Sequence, residues 1–209
     1  MSENSSMESP SVVAGFDVDW EERYRRGDTP WEKGQAHPAL VEWLATNAMS
    51  GRVIVPGCGL GHDVRVLARA GEEVIAVDVA PFAIAAAEAF PRHGKESYIL
   101  GDFFDPGVVQ GEFDWVFEHT FFCAIRPDRR EDYARRVTEL LKPGGRLLAI
   151  FFLEPEHDES DEGGPPFGCS LEELDTLFSP HLQLIDQIDN LPTYPGREAR
   201  EILRLFRRL

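Results

Sequence analysis

Three glycines within five residues, set between a β-branched run and a helical pattern, constrain this chain more than any other feature. The stretch is Val53-Ile54-Val55-Pro56-Gly57-Cys58-Gly59-Leu60-Gly61-His62-Asp63. Such an order reads as strand, tight turn, helix. The alternation continues downstream. Strands are expected at 52–55, 73–78, 97–100, 113–118 and 146–152, with helices at 62–70, 81–90 and 128–141 between them. Parallel neighbours need crossover connections, so this order predicts an α/β fold with a mostly parallel sheet covered on both faces. Lys142-Pro143-Gly144-Gly145 is expected to stop the third helix and turn the chain into the next strand. After a short helix at 171–178, strands at 182–189 and 201–206 follow with no helix between them, which predicts an antiparallel pair. Ahead of the first strand, 38–48 reads as an amphipathic helix, preceded by an aromatic segment holding Trp20, Tyr24 and Trp31.

With 209 residues, 43% hydrophobic and 28% charged, the chain has the length and balance for one sizeable core. We expect a single domain over 16–209, with 16–50 as an N-terminal lid segment and helix and 51–209 as the α/β core. Residues 1–15 are polar, small and acidic, and are expected to be a disordered tail. They lack the basic start and apolar run of a secretory signal, and no stretch reaches membrane-spanning length. A cytoplasmic protein with no membrane partner is expected. A formal net charge of −16 would repel a polyanion, which weighs against nucleic acid and for a small-molecule substrate. A monomer, or at most a weak homodimer, is the expected assembly. Cys58, Cys123 and Cys169 share no paired or zinc-type spacing, which suits a reducing compartment. Arg200, Arg204, Arg207 and Arg208 alternate with apolar residues and read as the solvent side of the last strand.

Open α/β sheets bind ligands beyond the carboxyl ends of their strands, where this glycine turn sits. Gly57, Gly59 and Gly61 permit positive φ and let a ligand approach the backbone. Their spacing, G-x-G-x-G, departs from the G-x-G-x-x-G of the NAD fingerprint and weighs against a dinucleotide. Asp78 ends the run Val-Ile-Ala-Val-Asp about 20 residues further on, where a carboxylate can accept both hydroxyls of a ribose. The alternative is a helix N-cap before Pro81. Gly101-Asp102-Phe103-Phe104-Asp105 follows the third strand: Asp102 could accept from an adenine amino group while Phe103 packs on the ring, or the segment is a plain turn. His157, Asp158, Glu159 and Asp161, in the acidic run 154–164, read as a solvated loop rather than a metal site, and no metal is expected.

Taken together, VIVPGCGLG, VDVA, GDFFD, FDWVFEHTFFCAI and LLKPGGRLLAIFF resemble the class I S-adenosylmethionine-dependent methyltransferases. More narrowly, WEERYRRGDTPWEKG, PGCG and EHTFFCAI resemble the thiopurine S-methyltransferase family, which also includes halide and thiol methyltransferases. The resemblance runs from about Phe16 to the C-terminus. It implies a Rossmann-like three-layer sandwich with a seven-stranded, mostly parallel sheet, an antiparallel C-terminal strand pair and S-adenosyl-L-methionine as cofactor. It implies that Gly57, Cys58, Gly59 and Gly61 lie against the methionine part of the cofactor, that Asp78, followed by Val79, holds the ribose, and that Asp102 and Phe103 hold the adenine. Trp20 and Trp31 would close over the cofactor, and Tyr24 stands where some relatives carry tryptophan. His119 replaces the tyrosine of the plant D-Y-T-F-F stretch, and Gly164-Pro165-Pro166-Phe167 resembles a plant Gly-Pro-Pro-Tyr loop near the substrate pocket. Trp31, His119, Phe122, Pro166 and Phe167 are the acceptor-pocket residues so implied.

Methyl transfer from a sulfonium is an in-line displacement, for which the protein supplies alignment and electrostatics. Tryptophan faces suit a nearby cation. A thiolate, thiocyanate or halide ion needs no general base, whereas a neutral thiol or thiopurine must lose a proton. His119, just after the fourth strand, is the candidate acceptor, because imidazoles titrate near neutrality; a hydrogen bond to buried backbone is the alternative. Glu118 would bind the cofactor's amino group or orient His119. Cys123 reads as a packed apolar residue, and Cys58 as a small side chain under the turn. The expected function is methyl transfer to a small soft nucleophile: a thiol, hydrosulfide, thiocyanate or halide. A thiopurine or other heteroaromatic thiol comes second, and an NAD-dependent oxidoreductase or a catalytically silent cofactor-binding protein are answers of a different class.

Overall fold

The computed structural model describes residues 18–70, 72–155 and 164–209. The N-terminal tail and most of the acidic run, including His157, Asp158, Glu159 and Asp161, lie outside the described residues. In chain order the elements are α1 (Trp20–Arg26), α2 (Pro38–Thr46), β1 (Arg52–Pro56), α3 (His62–Arg69), β2 (Glu73–Asp78), α4 (Pro81–Ala89), β3 (Lys95–Leu100), β4 (Phe113–His119), α5 (Arg130–Leu140), β5 (Leu141–Phe152), α6 (Leu171–Phe178), β6 (Leu182–Ile188) and β7 (Glu201–Arg208). The seven strands form one sheet in the order β3-β2-β1-β4-β5-β7-β6. β3, β2, β1, β4 and β5 pair in parallel, and β7 runs antiparallel to both β5 and β6. The Rossmann-like arrangement and the antiparallel C-terminal pair are as the sequence implied.

Two apolar clusters occupy opposite faces of the sheet, and the two-residue period of the strands sorts side chains between them. Val53 and Val55 of β1, with Trp115 and Phe117 of β4, pack on one side with Leu40 and Trp43 of α2 and Val64 and Leu67 of α3. Ile54 and Val116 face the other side, with Tyr133 and Val137 of α5 and Phe178 of α6. The chain leaves β1 toward β2 on one side and returns as β4 on the other, so the strand order reverses between β1 and β4. Ligand crevices of open α/β sheets form outside the carboxyl ends at such a switch point.

Several elements differ from the sequence reading for identifiable reasons. α1 was not foreseen as a helix, although its signals are present: Asp19 accepts from the Glu22 amide at 2.9 Å, and Gly27 ends it at φ 68°. β5 starts at Leu141, before the expected turn. Lys142-Pro143-Gly144-Gly145 stays beside β4 with a register shift between Phe113 and Trp115, and Lys142 Nζ holds both Asp114 carboxylate oxygens at 2.8 Å. Arg204 is not on a solvent face. β7 lies inside the sheet, so Arg204 is buried, donating to Gln187 and Asp175 at 2.9 and 2.8 Å.

Two site assignments also differ, the first because of the same period. Glu118 and His119 are consecutive in β4 and therefore face opposite layers. Glu118 is 0% exposed on the α5 side, where its carboxylate accepts from the Phe121 and Phe122 amides and from the Tyr133 hydroxyl at 2.9, 2.7 and 2.7 Å. It is not among the residues that line the cavity at the carboxyl ends of the strands. Phe122 packs in the core against Tyr133, Phe151 and Phe178, because the Glu118 bonds turn the chain inward there. Burial pushes the Glu118 carboxyl from its ordinary 4.5 up to about 7, outweighing its three donors. Between those values the folded chain holds a proton that the unfolded chain has released, so stability falls as pH rises across the window, by an amount on the order of 3 kcal/mol. Urea melts at pH 5 and pH 8 are expected to show that Glu118→Gln loses less stability than the parent over this interval; an identical pH dependence in both proteins would contradict the assignment.

Candidate active site

A cavity of about 760 Å³ opens at the carboxyl ends of β1, β2 and β4, a size ordinary for a small-molecule site. The glycine turn forms its floor. Gly57, Gly59 and Gly61 have φ of 56°, 51° and 73°, in the left-handed region that favours glycine. A Cβ on Gly57 would lie 2.5 Å from the Phe121 ring, and one on Gly59 would lie 2.9 Å from the Tyr24 hydroxyl. The turn is fixed to β2: the Cys58 amide donates to the Val77 carbonyl at 3.0 Å, and the Gly59 amide to Asp78 Oδ2 at 2.9 Å. Asp78 Oδ1 accepts from the Ala80 amide at 2.9 Å. Ala80, not Asp78, is the N-cap of α4. Burial raises the Asp78 carboxyl above its ordinary value against these backbone bonds, and the group lines the cavity beside Val79.

The N-terminal segment supplies the opposite wall. Trp20, Tyr24 and Trp31 line the cavity and pack edge to face, with Trp31–Trp20 and Trp31–Tyr24 centroids at 5.3 and 5.6 Å. Trp31 Nε1 donates to the Tyr24 hydroxyl at 3.2 Å. Arg23 was not singled out in the sequence, yet its guanidinium lies 4.5 Å from the Trp31 ring centre and 5.8 Å from that of Trp20. The segment is pinned to α3 by Glu32, which pairs with His62 Nε2 at 2.9 Å. That pairing turns His62 away from catalysis at Cys58. Burial, with the Asp78 charge behind it, pushes the Cys58 thiol well up, against the thiolate that nucleophilic chemistry needs.

His119 ends β4 at the cavity wall, and three residues that the sequence did not reveal surround it. Its Nδ1 lies 2.7 Å from Asp63 Oδ2, while Asp63 Oδ1 accepts the His37 amide at 2.7 Å. Burial would raise the Asp63 carboxyl, but the bonds from His119 and His37 bring it below the ordinary carboxylate range. The His37 ring meets that of His119 edge-on at 4.7 Å, and Tyr194 stacks on His119 at 6.1 Å. His119 Nε2 is buried and has no hydrogen-bond partner among the described residues. On the far side of His37, Glu201 accepts from its Nε2 at 2.9 Å, from Arg197 at 2.9 Å and from the Thr193 hydroxyl. Burial pushes Glu201 up, but these donors outweigh it and hold the carboxyl at about 2.

His37, His119 and Glu201 each place a ligand-type atom within 4.8 Å of the others. The hydrogen bonds argue against a cation there. His37 Nδ1 accepts from the Ala39 amide at 3.1 Å, so Nε2 carries the ring proton and gives it to Glu201, leaving no lone pair for a metal.

Among the remaining expected positions, Phe103 and Pro166 line the cavity, whereas Asp102 and Phe167 do not. Asp102 turns back to accept the Phe104 amide at 2.9 Å, closing its own turn. The Phe167 amide is drawn to the Cys123 carbonyl at 2.7 Å. Cys123, read as a packed residue, is buried but also reaches the cavity wall.

A family model for thiopurine S-methyltransferase (TPMT) matches residues 17–209. The chain belongs to the thiopurine S-methyltransferase family. It is 33% identical to the probable thiol methyltransferase 2 of Arabidopsis thaliana over 190 residues, covering 88% of this chain and 82% of that one. It is 31% identical to thiocyanate methyltransferase 1 of Arabidopsis thaliana, with 96% and 92% covered, and 31% identical to a thiopurine S-methyltransferase of Vibrio campbellii, with 90% and 93% covered. This family member is an S-adenosylmethionine-dependent methyltransferase. Solved structures at lower identity share the fold. A chain from a study of conversion of a disulfide bond into a thioacetal group during echinomycin biosynthesis matches with a TM-score of 0.73 at 22% identity, covering 89% of this chain and 90% of that one. N-methyltransferase NodS of Bradyrhizobium japonicum, in complex with S-adenosyl-L-homocysteine, matches with a TM-score of 0.61 at 17% identity, with 92% and 89% covered.

The glycine turn, whose backbone is bare toward the cavity, and a buried carboxylate at the end of β2 fit this cofactor. Asp78→Asn would turn one acceptor into a donor facing the Gly59 or Ala80 amide. Calorimetric titration is expected to show S-adenosylmethionine binding weakened by about tenfold or more, the worth of one hydrogen bond to a charged group. Unchanged affinity would remove Asp78 from the cofactor site.

Proposed function

We propose that this protein methylates a small soft nucleophile, namely a thiol, hydrosulfide, thiocyanate or halide ion, in the cytoplasm, as a monomer built on one domain over residues 16–209. The observation that carries the reading is His119, which lines the same cavity as Asp78 and the glycine turn and whose buried Nε2 has no hydrogen-bond partner among the described residues. The net charge of −16 supports a small acceptor over nucleic acid, and among the described residues no helix is long and apolar enough to cross a membrane.

When bound, the cofactor supplies a methyl group on a sulfonium sulfur. The chain's residues then divide the remaining tasks. Gly57, Cys58, Gly59 and Gly61 would offer backbone against the methionine part, and Asp78, beside Val79, would accept from the ribose. Phe103 would pack near the adenine, with Asp102 closing the turn that carries it. Trp20, Tyr24 and Trp31 cover the site and exclude water, which strengthens electrostatic contacts within it. The acceptor enters between His119, Trp31 and Pro166. For an acceptor that arrives as an anion, alignment suffices. For a protonated thiol, His119 Nε2 takes the proton, directly or through one bridging water.

The test is a release assay for S-adenosylhomocysteine with thiocyanate, iodide, hydrosulfide and 2-mercaptoethanol as acceptors. Turnover on thiocyanate and 2-mercaptoethanol is expected; no turnover on any of the four would sink the reading. His119→Ala is expected to lower the 2-mercaptoethanol rate at pH 7 by about a hundredfold. Equal loss on thiocyanate, which has no proton to give up, would show that His119 does not act as a base.

A further inference from the structure

Asp63 is a first-turn acid of α3, and helix position alone does not account for its two oxygens. Oδ2 lies 2.7 Å from His119 Nδ1, and Oδ1 accepts the His37 backbone N–H at 2.7 Å. One carboxylate thus joins the start of α3, the end of β4 and the residue that caps α2. Its side chain is 16% exposed and that of His119 is 9% exposed, so water competes little for either bond. An ionised carboxylate only accepts, so the proton between the two residues sits on Nδ1 and the lone pair sits on the buried, unpartnered Nε2. The groups around the ring do not compete for that lone pair. His37 spends its one ring proton on Glu201, Glu201 also holds Arg197, and the Tyr194 hydroxyl donates to the Gln35 carbonyl at 2.9 Å.

We propose that Asp63 is the positioning residue for methyl transfer to protonated thiols: it fixes His119 as the Nδ1–H tautomer and ties that ring to the N-terminal segment through the His37 amide. The inference rests on the reading of His119 as the proton acceptor. In the step, the thiol S–H bond breaks and its proton goes to Nε2. The sulfur electron pair forms the bond to the methyl carbon, and the old carbon–sulfur bond breaks with its pair left on the former sulfonium sulfur. Asp63 remains a carboxylate throughout and stabilises the imidazolium that forms.

Asp63→Asn inverts this arrangement with little change of shape. The carboxamide oxygen can still accept the His37 amide, but its NH2 group requires a lone pair on Nδ1, which moves the ring proton to Nε2. The ratio of kcat for 2-mercaptoethanol to kcat for thiocyanate at pH 7 is expected to fall about a hundredfold. The remaining thiol activity should rise with pH only as the thiol itself ionises. A merely structural role would lower both rates together and leave the ratio unchanged, which would overturn the proposal. If the ratio falls in His119→Ala but not in Asp63→Asn, the base reading stands and the positioning role fails; if it falls in neither, the base reading itself fails. Should the variant not fold, nitrogen-15 spectra of the histidine rings in the parent protein decide the tautomer. The singly protonated His119 ring is expected to carry its proton on Nδ1, and a proton on Nε2 would overturn the proposal.

Discussion

The cavity depends on a set of short hydrogen bonds centred on Asp78. Its carboxylate holds the Gly59 amide and the Ala80 amide, and its backbone carbonyl accepts the Gly101 amide at 2.9 Å. One residue at the end of β2 thereby fixes the turn after β1, the entry to α4 and the turn after β3. Each of those loops would otherwise leave an amide donor unpaired at a partly buried sheet edge, at a cost of about 1–3 kcal/mol apiece. The glycine turn is thereby tied to β2, and Gly57, Gly59 and Gly61 stand at positive φ along it. Pre-formed geometry of this kind is what lets binding energy be used for alignment.

From that edge, the two-residue period of β4 distributes the chemistry. Glu118 and His119 are adjacent in sequence and sit in different layers of the molecule. Glu118 turns into the α5 layer and braces the Phe121-Phe122 turn from beneath, while His119 faces α2, α3 and the cavity. The turn that Glu118 braces includes Thr120, at a positive φ of 65°, and returns Phe121 to the cavity against Gly57. A buried acid in the core and an imidazole in the site are thus two results of one strand.

This division shows which parts of the molecule were legible in the sequence. The parallel strands could be read because β-branched runs buried on both faces leave a strong local signal, and β2 and α6 fall at their expected limits. The glycine turn, Asp78, the tryptophans and His119 were visible because motif spacing places them. The insertion of β7 between β5 and β6 was not, since long-range pairing leaves no local trace, and Arg204 was misplaced with it. The β4 assignment is a different case. The period that separates Glu118 from His119 was available in the strand itself, and applying it would have kept Glu118 out of the cofactor site. Asp63, His37 and Glu201 had no such signal. A first-turn acid, a histidine before proline and a glutamate at a strand start all look ordinary until the fold brings them together.

What the fold makes of them is two imidazoles, 4.7 Å apart, with opposite character. His37 is 0% exposed; its Nδ1 is committed to the Ala39 amide at the start of α2, and its remaining proton is committed to Glu201. Because Nδ1 accepts an amide proton the ring is neutral and structural, and burial lowers its proton affinity despite Glu201. His119 has only one nitrogen committed, to Asp63. Glu201, held ionised by Arg197, Thr193 and His37, adds a negative charge on the same side. The antiparallel C-terminal strands therefore contribute to the site's electrostatics as well as closing the sheet, since the carboxylate that accepts the His37 ring proton belongs to the first residue of β7.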